Sequence, residues 1–362
     1  MSSDTDRSQL IETFLADAGW RDAELTWLGE DASTRRYARL VRPSGSALLM
    51  DAPLVEDAPC APGMSEAERA AAGWNAMTRL AGSRVEAFVL LAEHLRAQGL
   101  RPPEIYAYDS AAGLALIEDF GHLREFARLI ERSEADEVDL YRKAARDLAH
   151  LHTKPIPQSL SQDGLVWPIQ TFDAMALRAN ADLFADWLHQ YDERARMSDA
   201  DRARWEAARD GLIAQAEAFP RAFTLRDYHA ENLLWLPEGK IGVLDFQDAV
   251  IGWDAWDMAM LTQDARRAVS PEAARAAIDA YLEASGQAEA AFQKRLAVIG
   301  ALNALRITGV FARLVKRDGK QRYTRFMPRQ QALLASNLRH PETRDMAGFV
   351  RDVAPFIFEA DA

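Results

Sequence analysis

The sequence predicts an α+β fold of two lobes: a small N-terminal antiparallel sheet with helices, then a larger, mostly helical C-terminal lobe. Three observations carry this. Five short strand patterns fall within the first 118 residues. Beyond Asp119 the apolar spacing becomes helical, broken by a single clear hairpin. The 362-residue length is more than one compact core usually takes. The predicted division is 1–118 as the N-terminal lobe and 119–362 as the C-terminal lobe.

Residues Arg7–Trp20 place Leu10, Ile11, Phe14, Leu15 and Ala18 on one helical face. Glu24–Leu28 and Tyr37–Val41 read as strands around the polar loop G-E-D-A-S-T-R-R, and Ala47–Asp51 as a third. Pro53, Pro59 and Pro62 force 52–64 into a loop. Helical patterns follow over Glu66–Leu80 and Glu86–Gln98, then strands at Ile105–Tyr108 and Leu114–Glu118. In the C-terminal part, helices are predicted over Val138–Leu151, Asp173–Tyr191 and Asp199–Ala218. A hairpin pairs Asn232–Leu236 with Ile241–Phe246 across a P-E-G-K turn, and helices dominate from Trp256 onward.

The charge balance, 43 basic against 55 acidic residues, leaves a net of −12 and argues against a general nucleic-acid partner. With Cys60 as its sole cysteine the chain forms no internal disulfide. The polar N-terminus does not read as a leader, and no apolar run approaches the roughly 20 residues that span a bilayer. The expectation is a soluble, cytoplasmic monomer without a membrane partner. One absence is unusual: Lys143 is the first lysine, although arginine is plentiful before it.

Leu225–Asn232 reads L-R-D-Y-H-A-E-N, and Asp245 lies thirteen residues after Asn232, at the end of I-G-V-L-D. The hairpin brings Asn232, at the start of one strand, beside Asp245, at the end of the other. Two such oxygen ligands can hold Mg²⁺ against the phosphates of ATP. Asp227, on the preceding loop, is placed to accept the proton of an attacking hydroxyl. This arrangement resembles the protein-kinase pair H-R-D-x-x-x-x-N and D-F-G, with Leu225 in place of His and Gln247 in place of Gly.

Read further, D-Y-H-A-E-N-L-L, L-D-F-Q-D and W-D-A-W-D-M-A resemble the aminoglycoside phosphotransferase and choline kinase group, which usually reads H-G-D-x-H-x-x-N. Arg226 stands where that group has Gly. It is more similar to a subset related to bacterial cell-wall sugar kinases, as are G-E-D-A-S-T-R-R-Y, L-L-M-D-A-P, Q-D-A-R-R and G-V-F-A-R-L-V-K-R-D-G-K. The resemblance covers most of the chain. It implies a protein-kinase-like bilobal fold, ATP and Mg²⁺, and a sugar acceptor phosphorylated at the anomeric hydroxyl of N-acetylmuramate or N-acetylglucosamine, in peptidoglycan recycling. It also implies that Asp257 anchors the catalytic loop through backbone N–H groups or Arg226.

Kinases hold the α- and β-phosphates with a lysine on the third strand; here Met50 or Asp51 occupies that place. Arginine is the remaining fixed cation, so Arg35 or Arg36 is expected to grip phosphate, with Ser33 and Thr34 as hydroxyl donors. Backbone groups of Glu118, Asp119 and Phe120 are expected to receive adenine. No G-x-x-x-x-G-K-[ST] occurs, which removes Walker-type ATPases. Asp248 either serves a second metal or caps a turn.

At the acceptor end, residues 306–329 hold eight basic side chains and one acid, Asp318. Arg266 and Arg267 add two more, and His229 either contacts the acceptor or braces the loop. Such cations suit an anionic acceptor and oppose a polycationic aminoglycoside. Trp253 and Trp256 either stack on a sugar or belong to the core. Near Asn180 the related sequences usually carry Glu. An aminoglycoside or choline-like acceptor is the competing reading, and a nucleotide-binding pseudokinase, motivated by the missing lysine, is the other.

Overall fold

The computed structural model describes residues 2–29, 35–53 and 59–359. They divide into two compact units. The first comprises residues 1–129, 157–170 and 231–249, and the second 130–156, 171–230 and 250–362.

In the first unit, strands Glu24–Trp27, Arg36–Arg42, Gly45–Asp51, Ile105–Asp109 and Leu114–Glu118 form one antiparallel sheet, in the order first, second, third, fifth, fourth. Alternation decides which face is buried. Ala38 and Leu40 sit opposite Leu49 and Ala47, and all four are fully buried. Ile11 and Leu15 of helix Ser2–Asp17, with Trp20, cover that face. The helix begins earlier and ends earlier than its apolar pattern suggests. Arg7 ties it to the sheet by donating to Asp51 (2.5 Å) and to the carbonyl of Ala112 (2.5 Å).

The predicted helix 66–80 is two helices, Glu66–Ala72 and Trp74–Thr78, because Gly73 turns the chain with φ 102°. Ser65 and Glu68 form a capping box at the start of the first. A hairpin, Ser159–Gln162 with Leu165–Pro168, lies outside the sequence expectations. It does carry a signal: Asp163 and Gly164, both at positive φ (51° and 81°), make the D-G turn that suits tight hairpins. The second hairpin of this unit pairs Leu233–Trp235 with Ile241–Val243, inside the predicted strands but shorter than them.

The second unit is helical. Helix Glu289–Lys316 runs through its core and packs on helix Ala174–Tyr191. Around them lie Trp205, Trp253, Trp256, Phe172 and Phe184, all buried. By length and composition this 28-residue helix could span a bilayer, which corrects the expectation that no apolar run is long enough. Its most apolar stretch is 78 % buried within the protein, as a core helix requires. Two three-residue strands, Ala222–Thr224 and Val250–Gly252, are a further addition to the expected elements. They are too short to show alternation, yet the first delivers the chain into the segment that starts at Leu225.

Candidate active site

Segment 225–230 belongs to the helical unit, and burial separates its residues. Leu225, Arg226, Tyr228, His229 and Ala230 are buried, and only Asp227 is not. Asp257, fully buried on helix Asp254–Thr262, holds the segment from beneath. Its carboxylate accepts from the backbone N–H of Leu225 (2.7 Å) and of Arg226 (2.8 Å). Two hydrogen bonds to one buried carboxylate fix the backbone N–H groups of the two residues before Asp227. Behind Asp257 stands His152, with Nε2 3.2 Å from the carboxylate and Nδ1 3.0 Å from the Tyr281 hydroxyl. Sequence reasoning misses His152, because the only local signal around it is the apolar period of the helix it ends.

Arg226 adopts φ 76°, in the left-handed region. That explains why glycine is usual at this position and sets the cost of an arginine there at about 1–2 kcal/mol. Contacts offset it. The guanidinium lies 4.6 Å from the Phe172 ring centre, and the Arg226 carbonyl accepts from Trp256 Nε1 (3.2 Å). Trp253 and Trp256 are thus buried core residues, and Trp256 braces the loop. Tyr228 donates to the carbonyl of Ala144 (3.2 Å).

His229 is buried, and burial pushes its imidazole down to about 4. Asp264 opposes that shift, while Arg266 and Arg306 reinforce it, so the ring is neutral near pH 7. The two arginines of Q-D-A-R-R part company. Arg267 is bound to Glu137 (2.6 Å) and to the Tyr141 hydroxyl (2.8 Å). The backbone N–H of Arg266 donates to Asp264 Oδ1 (2.8 Å), and its charge is felt by both His229 and Arg306. Burial lowers Arg306 to about 10, with Asp227 pulling the other way. In the rest of the basic segment, Lys316, Arg317, Arg322, Arg325 and Arg329 are exposed. Asn180, buried, donates back to the carbonyl of Ala176 (2.7 Å) within its own helix.

Asn232 and Asp245 belong to the sheet unit. The hairpin pairing continues one step past its strands, with Leu244 N–H donating to the Asn232 carbonyl (2.9 Å). Asn232 therefore lies across from Leu244, one residue from Asp245. Asp245 has φ 55° and a side chain 46 % exposed, and it accepts from Gln247 Nε2 (2.8 Å) and Arg35 (3.3 Å). Asn232 and Asp245 carry the oxygen donors that Mg²⁺ prefers, so their chemistry fits that ion. Asp248 accepts from the backbone N–H of Ala81 (2.6 Å), the bond of a structural residue.

The candidates for phosphate separate as well. Ser33 and Thr34 lie outside the described residues. Arg36 pairs with the fully buried Asp51, which Arg7 also engages, and stacks 4.8 Å from Trp27. Asp51 thus gathers cations for the sheet. Arg35, its side chain only 11 % exposed, reaches Asp245 instead. At the strand end, Glu118 donates its N–H to the Glu104 carbonyl and takes Arg101 with its carboxylate (2.6 Å). Asp119 pairs with Arg39 (2.8 Å). Burial pushes the Asp119 carboxyl up, but Arg39 and the Gly121 N–H outweigh it and hold it below the usual range. Phe120 packs on Leu234 and Leu236.

Comparison with known proteins adds the following. The model of the phosphotransferase enzyme family matches residues 24–293. An N-acetylmuramate/N-acetylglucosamine kinase of Caulobacter vibrioides is 47% identical, over 91% of this chain and 92% of that protein. One from Pseudomonas aeruginosa is 30% identical, over 94% of this chain and 92% of its own length. Among solved structures, a choline/ethanolamine kinase family protein from Mesorhizobium loti is similar with a TM-score of 0.57 at 17% identity, covering 97% of this chain and 100% of that one. This last likeness speaks for a kinase-like fold.

Proposed function

Because the chain belongs to the phosphotransferase enzyme family, and so is a kinase that uses ATP, we propose that it phosphorylates the anomeric hydroxyl of N-acetylmuramate and N-acetylglucosamine. The observation that carries the chemistry is Asp227, the one residue of segment 225–230 that is not buried, on a loop held by Asp257. The 47% identity to a kinase of that name supports the acceptor. In this reading the enzyme serves the recycling of cell-wall sugars, in the cytoplasm and as a monomer, consistent with its single cysteine.

The Asp227 carboxylate orients the acceptor hydroxyl and takes its proton as the new O–P bond forms. Asp257 keeps Asp227 in register by fixing the two preceding peptides, so much of the rate comes from positioning. Neutral His229 braces the loop from within. Asn232 and Asp245 would hold Mg²⁺, which supplies charge neutralisation on the phosphates. Arg35 takes the part of the missing lysine: its guanidinium already stands at Asp245, and its planar fork suits phosphate oxygens. Adenine is received along Glu118, Asp119 and Phe120. The N-terminal residues 1–118 thus serve the nucleotide, and the remainder the acceptor and the chemistry.

The test is ADP release with N-acetylmuramate, N-acetylglucosamine and kanamycin side by side. Turnover of the two amino sugars without kanamycin is expected. Turnover of kanamycin alone, or of none, would overturn the acceptor assignment.

A further inference from the structure

Two groups of the helical unit are costly as they stand. Arg306, on helix Glu289–Lys316, carries five donors. It donates to Asn303 Oδ1 (3.1 Å) and forms no ion pair among the described residues. It lies over the buried Trp256, 5.8 Å from the ring centre. Its charged neighbours are the carboxylate of Asp227 and three further guanidinium groups, Arg226, Arg266 and Arg313. A partly buried cation among cations, in a chain of net −12, is a place kept for an anion. The second group is Asp264. Its Oδ1 accepts from the Arg266 N–H, but its buried Oδ2 has no hydrogen-bond partner among the described residues. A buried carboxylate oxygen without a donor costs free energy that a ligand N–H or O–H recovers.

These two side chains share a neighbour in His229, two residues from Asp227, so both belong to the surroundings of the proposed base. Arg313, half-buried, stands near Arg306, whereas other members of the basic segment engage at the surface. Arg317 pairs with Asp318 (2.6 Å), and Arg322 and Arg325 lie over Tyr323 and Phe326. Of the eight basic residues in this stretch, Arg306 feels the charge of Asp227, with Arg313 beside it. We propose that Arg306 and Asp264 read the acceptor: Arg306 takes the carboxylate of an acidic N-acylated amino sugar, and Asp264 Oδ2 accepts from a neutral N–H or O–H that acidic and uncharged amino sugars share. Arg306 is then the residue that favours N-acetylmuramate, whose lactyl group ends in a carboxylate, over uncharged N-acetylglucosamine.

The inference rests on the amino-sugar reading, and the experiment separates the two. kcat/KM is measured for both sugars in the wild type, Arg306→Met and Asp264→Asn, with the KM for ATP as the check of an intact enzyme. In Arg306→Met the ratio of acidic to uncharged sugar falls about tenfold or more, the size expected for a lost bidentate contact to a charge. In Asp264→Asn both KM values rise severalfold and the ratio holds. A ratio within twofold of wild type in Arg306→Met overturns the proposal, even if both activities fall. Should Arg306→Met lose ATP affinity, Arg306→Gln, which keeps a polar side chain without the charge, reads the same ratio, and an unchanged value overturns the proposal equally. A wild type that turns over neither sugar sinks the amino-sugar reading itself.

Discussion

Replacing Asp257 by Asn probes how the fold holds the loop that carries Asp227, the proposed base. Asp257 is fully buried and accepts the N–H groups of Leu225 and Arg226 at 2.7 and 2.8 Å, with His152 at 3.2 Å on the same carboxylate. The amide keeps one acceptor oxygen and turns its NH₂ against the second backbone N–H, or against the imidazole. One charge-assisted bond is lost and a buried N–H goes unpaired, together about 3 kcal/mol of stability. For a protein of this size that lowers the melting temperature by about 5 °C. The rate is affected separately. A loop displaced by about 1 Å costs on the order of a hundredfold in kcat. The assay combines steady-state kinetics, for kcat and the KM for ATP, with thermal unfolding of Asp257→Asn beside wild type. The expected pattern is a large loss in kcat with the KM for ATP within about threefold of wild type. A melting temperature lowered as stated but a kcat within about threefold would refute the positioning role and leave Asp257 a structural residue.

Three further outcomes concern Arg35, Arg36 and His229. Arg35→Ala raises the KM for ATP by about tenfold or more, the cost of a lost guanidinium–phosphate contact, and steady-state kinetics measures it. Arg36→Ala, which breaks the pair with buried Asp51, shows mainly in thermal unfolding, with a smaller change in that KM. His229 gives a pH signature. Its folded value, about 4, lies below the ordinary 6.5, so the unfolded chain binds the extra proton between those values. Stability is therefore full above pH 6.5 and falls as the pH drops toward 4, by about 3 kcal/mol in all. Melting curves from pH 7 to 4 should fall less steeply for His229→Gln than for wild type; parallel curves would rule out a buried neutral imidazole.

Much of this is legible in the sequence, and the limits have physical causes. The sheet strands show because one face is buried and alternation marks it, as in Ala38 and Leu40 opposite Leu49 and Ala47. Strands of three residues, such as Ala222–Thr224, carry too few positions for a period. The hairpin at 159–168 is announced by Asp163-Gly164, but its four-residue strands bury Trp167 alone, too little to mark a period. Asp227, Asn232 and Asp245 stand out as candidates because their spacing and a tight turn mark one short stretch of sequence. His152, Asp264 and Arg306 are not. They meet the loop from places far along the chain, and only tertiary packing tells Arg306 from the other basic residues of its segment, or Arg35 from Arg36.

The account rests on Asp227 as the residue that receives the acceptor proton, and one measurement addresses it most directly. ADP release with N-acetylmuramate is compared in wild type and Asp227→Asn, alongside ATP binding to each. The expected result is loss of turnover by a factor of about a thousand or more with ATP affinity within about threefold of wild type. Retained turnover in Asp227→Asn would contradict the central claim.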